Sequence, residues 1–157
     1  MMIKGILVLV VMVFAMSARA GAQDPFVGTW KLNTAKSQFD PNHHPLEGTM
    51  TFELDPDGSY LMKAEGTKEG GQKVKENPQK FFVDGQPRPL PEMPALSGVA
   101  TKPDPNTIRG EARRQDGSIV GSATYVVSAD GRSLKATVSG IDSQLRPFTQ
   151  TTVWDRQ

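Results

Sequence analysis

The stretch DPFVGTWKL, residues 24–32, decides the fold. Asp24 belongs to the residue types that cap helical turns, and Pro25 suits the first position of such a turn. Beyond the turn, Gly28 and Trp30 fall on the same face of a predicted strand, because side chains alternate along a strand. Glycine at position 28 leaves room beside the Trp30 ring. The stretch therefore predicts a short helical turn that leads into a strand with a buried tryptophan.

Alternating runs of apolar and polar residues predict strands along the rest of the chain. Residues 49–54 and 60–64 alternate in this way on the two sides of a turn. Asp-Gly between two such runs is a strong hairpin signal, and several of them in series predict an up-and-down meander of about 8–10 antiparallel strands. The four Asp-Gly dipeptides begin at Asp57, Asp84, Asp116 and Asp130.

A meander of this length leaves long exposed edges unless the sheet closes on itself. We therefore predict an all-β fold closed into a barrel, and an open β-sandwich is the alternative. Closure makes the first and last strands neighbours, which brings Arg156 over the Trp30 ring. The alternative arrangement has Trp154 as the plug of the barrel and Trp30 facing solvent.

The Gly-x-Trp pattern of Gly28 and Trp30, followed by residues 31–33 (KLN), 36–37 (KS) and Phe39, resembles a family of small secreted bacterial proteins with lipocalin-like barrels. In lipocalins the tryptophan plugs the closed end of the barrel, and an arginine of the last strand packs on its ring. The resemblance implies a structural signature that consists of Gly28, Trp30 and Arg156. It implies a fold and carries no assigned activity.

Residues 1–22 have the pattern of a cleavable signal peptide. Lys4 precedes an apolar run over residues 6–16, which is shorter than the roughly 20 residues that a membrane-spanning helix needs. Small residues allow cleavage after Ala20 or Ala22. We therefore expect a secreted or periplasmic protein with a single domain at residues 23–157 and no stable membrane anchor after cleavage. An uncleaved anchor is the alternative.

Composition excludes several classes of function. The sequence has no cysteine, which rules out disulfides and thiolate chemistry. Loss of Lys4 and Arg19 with the signal peptide lowers the formal net charge by two, from +1 to −1, which argues against nucleic acid as a partner. The two histidines, His43 and His44, are adjacent and point to opposite faces of an extended chain. We expect no catalytic residues, no metal and no cofactor.

The apolar faces of the predicted strands define the barrel interior. Small residues such as Gly110 and Gly121 alternate with large ones there. This alternation suits both a filled barrel and a barrel with a ligand cavity, because eight-stranded barrels lie at the boundary between the two. A small apolar ligand is the partner that the second case implies. The predicted ligand-binding residues are Phe52, Leu54, Tyr60, Met62, Phe82, Ile108, Ala123 and Tyr125.

Residues 85–97 contain four prolines, at positions 87, 89, 91 and 94. Proline has no amide donor and does not fit a central strand. We therefore predict an extended loop, which is either a rigid connector or a lid over the barrel mouth.

Three functions remain open at this stage. The first is a non-enzymatic protein that binds a small apolar or amphipathic ligand in the barrel. The second is a filled barrel that serves as a structural or interaction protein of the cell envelope. The third is an enzyme that uses the barrel mouth. A fold by itself does not choose among them, and the oligomeric state is likewise open.

We predict that the mature protein begins at Gly21 or Gln23 and is found in the periplasm or the medium. The small residues before these positions fit the cleavage rule for signal peptides. N-terminal sequencing of protein purified from cell fractions checks this. Cytoplasmic protein that retains Met1 would contradict it.

Overall fold

A computed structural model describes residues 22–142 and 144–157, which form an eleven-stranded antiparallel sheet. The predicted signal peptide, residues 1–22, lies outside the described residues except for Ala22. Within the described part of the chain, no helix suited to crossing a membrane is found. The strands are β1 Gly28–Gln38, β2 Pro45–Leu54, β3 Tyr60–Lys68, β4 Lys73–Lys75, β5 Gln79–Phe81, β6 Arg88–Leu90, β7 Met93–Asp104, β8 Thr107–Arg113, β9 Ile119–Val127, β10 Ser133–Ile141 and β11 Pro147–Arg156.

The strand order follows the chain except at one place. Neighbours run β4-β3-β2-β1-β11-β10-β9-β8-β7-β6, so the first strand pairs directly with the last. Trp30 lies opposite Arg156 in this pairing. The prediction of an all-β, antiparallel, up-and-down barrel is confirmed. Eleven strands exceed the expected number because short strands at the two edges of the sheet count separately.

The two edges of the sheet meet through one segment, residues 79–85. Its first part is β5, which pairs with β3. Its last part reaches the other edge, where Asp84 forms a bridge with Thr101 and the Gly85 amide donates to the Ala100 carbonyl at 2.8 Å. We call this end of the barrel the closed end. At the opposite, open end, β4 remains on β3 and β6 on β7, and these two edge strands do not pair with each other.

Three of the four Asp-Gly dipeptides form hairpin turns, and the fourth does not. Those that begin at Asp57, Asp116 and Asp130 connect β2 to β3, β8 to β9 and β9 to β10. Asp84-Gly85 instead lies where the chain crosses from one edge of the sheet to the other. The hairpin expected at Asp84 is therefore wrong, because the strands on its two sides belong to opposite edges.

The predicted loop at residues 85–97 is also wrong over much of its length. Residues 88–90 form β6, and β7 begins at Met93, so the prolines lie in a short hairpin. Pro89 lies opposite Ser97. Since β6 is an edge strand with a neighbour on one side only, a missing amide donor is tolerated there.

The closed end is built on Trp30, which has no exposed surface. Its indole nitrogen donates to the Phe26 carbonyl at 3.0 Å. The Arg156 guanidinium lies 4.1 Å from the centre of the indole ring. It also donates to the carbonyls of Val27 and Gly131, at 2.9 and 2.6 Å, and to that of Pro25. One arginine thus ties the last strand to the N-terminal turn and to the β9–β10 turn.

Gly28 makes space for this arginine. Its φ angle is +138°, in the region that favours glycine, and a Cβ there would lie 2.7 Å from Arg156 Nη1. The space beside Gly28 was predicted to hold the Trp30 ring. The structure assigns it to the guanidinium that covers the ring.

A second polar cluster joins the two edge regions at the closed end. The Tyr60 hydroxyl, from β3, donates to Asp24 Oδ2 at 2.6 Å. Lys102, from β7, donates to the Tyr60 hydroxyl at 2.7 Å and forms an ion pair with Asp24. Burial by itself would raise the pKa of Asp24, but hydrogen bonds from Lys102, Tyr60 and the Phe26 amide hold this pKa below its ordinary value of 3.8. The charged carboxylate is the form that the folded state stabilises.

We predict that Trp30→Ala lowers the free energy of unfolding by about 3–5 kcal/mol, the usual cost of removing a buried aromatic side chain. Trp154→Ala is the matched control. It should cost less, because Trp154 is half-buried whereas Trp30 is fully buried. Urea denaturation of both variants measures this. A nearly silent Trp30→Ala would contradict the role of this residue as the anchor of the closed end.

Asp24→Asn should destabilise the protein by about 1–3 kcal/mol at neutral pH, because the partly buried ammonium of Lys102 loses its charged partner. A carboxylate with a lowered pKa stabilises the fold above its ordinary value of 3.8, and this stabilisation is lost as the pH falls through the folded-state pKa. The difference between wild type and variant should therefore narrow in acid. Urea denaturation over an acidic pH series checks this, and a difference independent of pH would contradict it.

Candidate functional site

The barrel interior has a filled half and an open half. The filled half is at the closed end, where aromatic rings pack edge to face: Phe26 lies 5.9 Å from Phe52, and Phe52 lies 5.9 Å from Tyr125. Such packing leaves little free space, as is usual in protein cores. The buried core consists of Phe26, Trp30, Met50, Phe52, Tyr60, Met62, Ile108, Val127, Leu134 and Ala136.

Beyond this core, small residues form one wall of the interior. Strand pairing aligns one inward-facing residue from each of five neighbouring strands, β7 to β11, in a row. With a spacing of about 4.8 Å between strands, five strands span about 19 Å. All members are half-buried. We call them the wall row: Ala100, Gly110, Ala123, Val138 and Gln150.

A further set of small residues lies next to the wall row, toward the open end. Gly98 pairs with Ala112, Ala112 with Gly121, and Gly140 with Phe148. A Cβ on Gly140 would lie 3.4 Å from the Phe148 ring, so this ring covers the glycine. At the other end of this set, a Cβ on Gly98 would lie 2.7 Å from Leu90 Cδ2, so the Leu90 side chain covers this glycine. The wall therefore carries little side-chain volume of its own between Leu90 at one end and Phe148 at the other.

Small residues also occur on the opposite wall, formed by β2 and β3. Gly48 faces the indole of Trp154, and a Cβ there would lie 3.3 Å from the ring. Ala64 lies opposite Met50 in the β2–β3 pairing and is half-buried. Short side chains on both walls therefore line the half of the interior near the open end, which we call the open half. The larger side chains of Trp154 and Phe148 reach into this space from β11.

The β1–β2 connection lies beside the rim of this space. The His43 ring stacks on Phe148 with ring centres 4.7 Å apart, and His43 Nδ1 lies 3.0 Å from Asp40 Oδ1. Arg146, from the β10–β11 connection, donates to Asn42 at 3.3 Å. The connection thus covers Phe148. Among the described residues, no group of three His, Asp or Glu side chains is arranged to hold a metal.

Two polar side chains, those of Gln150 and Tyr125, lie on the inward face of the sheet. Gln150 Oε1 is buried and accepts no hydrogen bond from any described residue. Tyr125, on β9, is the second: burial, with a smaller effect from the negative charge of Glu76, raises its pKa to about 12. The phenol therefore stays protonated at neutral pH. An unpaired acceptor and a neutral phenol suit hydrogen bonding to a small molecule, which is an arrangement typical of ligand pockets.

The eight predicted ligand-binding residues do not form one group in the structure. Phe52, Tyr60, Met62 and Ile108 are at most 9% exposed and belong to the filled core, so they form the floor beneath the open half. Ala123 lies in the wall row, and Tyr125 lies between the floor and that row. Leu54 and Phe82 lie elsewhere.

The inward placement of Leu54 and Phe82 is wrong. Leu54 is the last residue of β2, beyond the core, and is 47% exposed. In β5 the residue that faces inward is Phe81, one position before the predicted Phe82. Phe81 stacks on Tyr60 at 5.6 Å, while Phe82 lies under the Arg88 guanidinium at 4.3 Å. Pairing of Phe81 with Tyr60 across β3 and β5 fixes this orientation.

Sequence reasoning missed Gln150 as a functional residue. Phe148, Gln150, Thr152 and Trp154 alternate along β11, and the aromatic residues at the two ends of this series indicate which face is inward. A glutamine between them on the same face is the available signal. Ala100 was missed because β7 was not predicted as a strand.

Two clefts on the described residues lie away from the predicted ligand-binding residues. One, of about 140 Å³, is lined by residues of the proline-rich hairpin, among them Pro89, Pro94 and Leu96. The other is an open depression at the β7–β8 turn, lined by residues 102–105. The first is small for a drug-sized ligand, since such pockets are usually about 300 Å³ or more.

Solved structures of other proteins share this fold. The chain is similar to the fluorescent protein UnaG, with 13% identity and a TM-score of 0.57 over 84% of this chain and 97% of that one. It is also similar to zebrafish ileal bile acid-binding protein, solved with cholic acid, with 11% identity and a TM-score of 0.54 over 85% and 99% of the two chains. No family model matches the chain, and no curated protein does. At these identities the likeness shows the barrel fold alone.

Proposed function

We propose that this protein binds a small apolar or amphipathic molecule in the open half of its barrel. The observation that carries the proposal is the wall row, in which four of five aligned residues are Gly, Ala or Val. A wall of short side chains leaves space that a filled barrel would occupy with large ones. The apolar floor beneath it provides the surface from which binding a ligand removes water.

The likeness to known barrels supports the same proposal. The similar zebrafish ileal bile acid-binding protein was solved in complex with cholic acid, so a barrel of this kind can hold an amphipathic molecule. We carry this over as a proposal about the kind of ligand, not its identity.

We further propose that the protein acts outside the cytoplasm and without catalysis. The signal-peptide pattern of residues 1–22 supports the location. Several aspartates that lie in turns are already engaged there: Asp57 and Asp116 each accept hydrogen bonds from the following turn, at Ser59 and Ser118. Carboxylates held in this way serve turn geometry rather than proton transfer.

A second candidate function is interaction with another protein through the rim of the open end. Exposed large apolar residues concentrate at strand ends and connections there, and exposed apolar side chains grouped in one region often mark contact surfaces. Among the described residues, five of the seven exposed large apolar side chains have this location: Leu46, Met93, Ile119, Ile141 and Leu145.

We predict that Nile red, an uncharged dye that fluoresces in apolar surroundings, binds the folded protein and that Ala123→Trp weakens binding by about tenfold or more, which corresponds to about 1.4 kcal/mol. The indole would fill the space in front of the wall row. Ser122→Trp is the matched control, because the neighbouring residue is exposed and belongs to the opposite face. Fluorescence titration measures all three proteins.

Gly121→Leu provides an independent way to fill the same space. If neither Ala123→Trp nor Gly121→Leu changes dye binding while both variants remain folded by circular dichroism, the interior is not the site. Native mass spectrometry of protein from its own cell then distinguishes the two candidates. A bound mass below about 1 kDa indicates a ligand of the size that pockets hold, whereas a second polypeptide indicates a rim partner.

A further inference from the structure

One turn at the open end places a leucine where the chain otherwise uses glycine. In four hairpin turns the first amide donates to the fifth carbonyl and the fourth amide donates to the first carbonyl, at residues 55–59, 68–72, 114–118 and 142–146. The fourth residue of each turn has a positive φ angle. It is Gly58, Gly71 and Gly117 in the first three turns and Leu145 in the last. The last turn therefore departs from the others at this side chain.

Leu145 is unfavourable for the isolated barrel in two ways. With a φ angle of +60°, it is the one described residue other than glycine that has a positive φ, a conformation that a residue with a Cβ adopts at a cost. Its side chain is 85% exposed, the largest fraction among the exposed large apolar residues of the described chain. The barrel itself thus gains no burial from this leucine. Strain combined with apolar exposure points to a contact with another molecule.

Further exposed apolar side chains lie on the connections beside Leu145. The β10–β11 hairpin, which carries Leu145 and Ile141, adjoins the β8–β9 hairpin because β9 pairs with β10, and Ile119 begins β9. On its other side this hairpin is hydrogen-bonded to the β1–β2 connection, which Leu46 follows. All four side chains are about half exposed or more. We call this set the rim arc: Leu46, Ile119, Ile141 and Leu145.

The charges on the two hairpins at the centre of the rim arc cancel. Arg113 and Arg114 accompany Glu111 and Asp116 on the β8–β9 hairpin, and Arg146 accompanies Asp142 on the β10–β11 hairpin. A surface without net charge does not attract nucleic acid or an anionic membrane. A two-fold axis can instead place the acids of one copy against the bases of another. A second copy of this chain is therefore the occupant whose charges match.

We propose that the rim arc is the interface of a symmetric dimer in which two copies of this chain meet at their open ends, with Leu145 at the centre of the contact. Burial of the arc in the dimer offsets the strain of the Leu145 turn. Four apolar side chains per copy make a small interface, so the dimer is reversible and depends on concentration. The inference assigns an occupant to the surface of the second candidate function and does not depend on ligand binding in the open half.

Leu145→Gly tests this interface without endangering the fold, because glycine adopts the required φ angle freely. We expect the sedimentation coefficient of the wild type to rise with protein concentration toward that of a dimer. Leu145→Gly should weaken association by about tenfold or more, while the urea midpoint of its monomer stays equal or rises. Leu54→Ala is the matched control and should leave association unchanged, because Leu54 is also about half exposed but lies at the closed end.

Charge substitutions at two exposed turn residues, Gln115 and Gln144, test the symmetry of the contact. Copies that carry both Gln115→Glu and Gln144→Glu should repel one another, and so should copies that carry both Gln115→Lys and Gln144→Lys. Each double variant alone should therefore sediment as a monomer. An equimolar mixture of the two should associate at low salt, because acidic tips then meet basic ones.

A wild type that stays monomeric over the whole concentration series, or a Leu145→Gly variant that associates as well as the wild type, would overturn the inference. Self-association of either charge variant at wild-type strength would do the same. Binding of the wild type to vesicles of neutral phosphatidylcholine that is lost in Leu145→Gly would also overturn it, because the occupant would then be a lipid surface. Nile red and Ala123→Trp test the proposed function separately, so either proposal can fail while the other stands.

Discussion

The contact between Arg156 and Trp30 is the interaction on which the rest of the structure depends. It joins the last strand to the first in the middle of the sheet, and the two edges of that sheet then meet through residues 79–85 to complete the barrel. The guanidinium also uses the carbonyls of Pro25, Val27 and Gly131, which belong to segments far apart in the sequence. A partly buried charged group is tolerated at this position because its N–H groups are hydrogen-bonded. Lysine has no planar fork of donors and could not make the same set of bonds.

The two ends of the barrel differ in the size of the side chains that fill them. Large side chains gather around Trp30 and Tyr60, where the segment of residues 79–85 also joins the two edges of the sheet. Toward the open end, β4 and β6 diverge and the interior residues are small. The fully buried apolar side chains are therefore concentrated in one half of the barrel. Under the proposed function, the less filled half is where the ligand would bind.

The fold was predictable because its signals are local, and the site was not because it depends on register. Trp30 and Arg156 lie on recognisable strands at the two ends of the chain, so closure pairs them. Phe81 and Phe82 are adjacent aromatic residues in a three-residue strand, and only pairing with β3 decides which one faces inward. Gln150 is polar, and a polar residue in a strand is usually read as solvent-facing. Its inward orientation becomes clear only when the four strands β7 to β10 are aligned with β11.

Both ends of the described chain leave the barrel on the same side. The Gln157 amide donates to the Thr29 carbonyl at 3.0 Å, so the C-terminus lies next to the start of β1 and opposite the open end. A tag, a linker or a surface attached at either terminus would consequently hold the protein by its sealed base and present the mouth outward. The same closeness of the termini makes the chain suitable for circular permutation, with new ends placed in a connection at the rim.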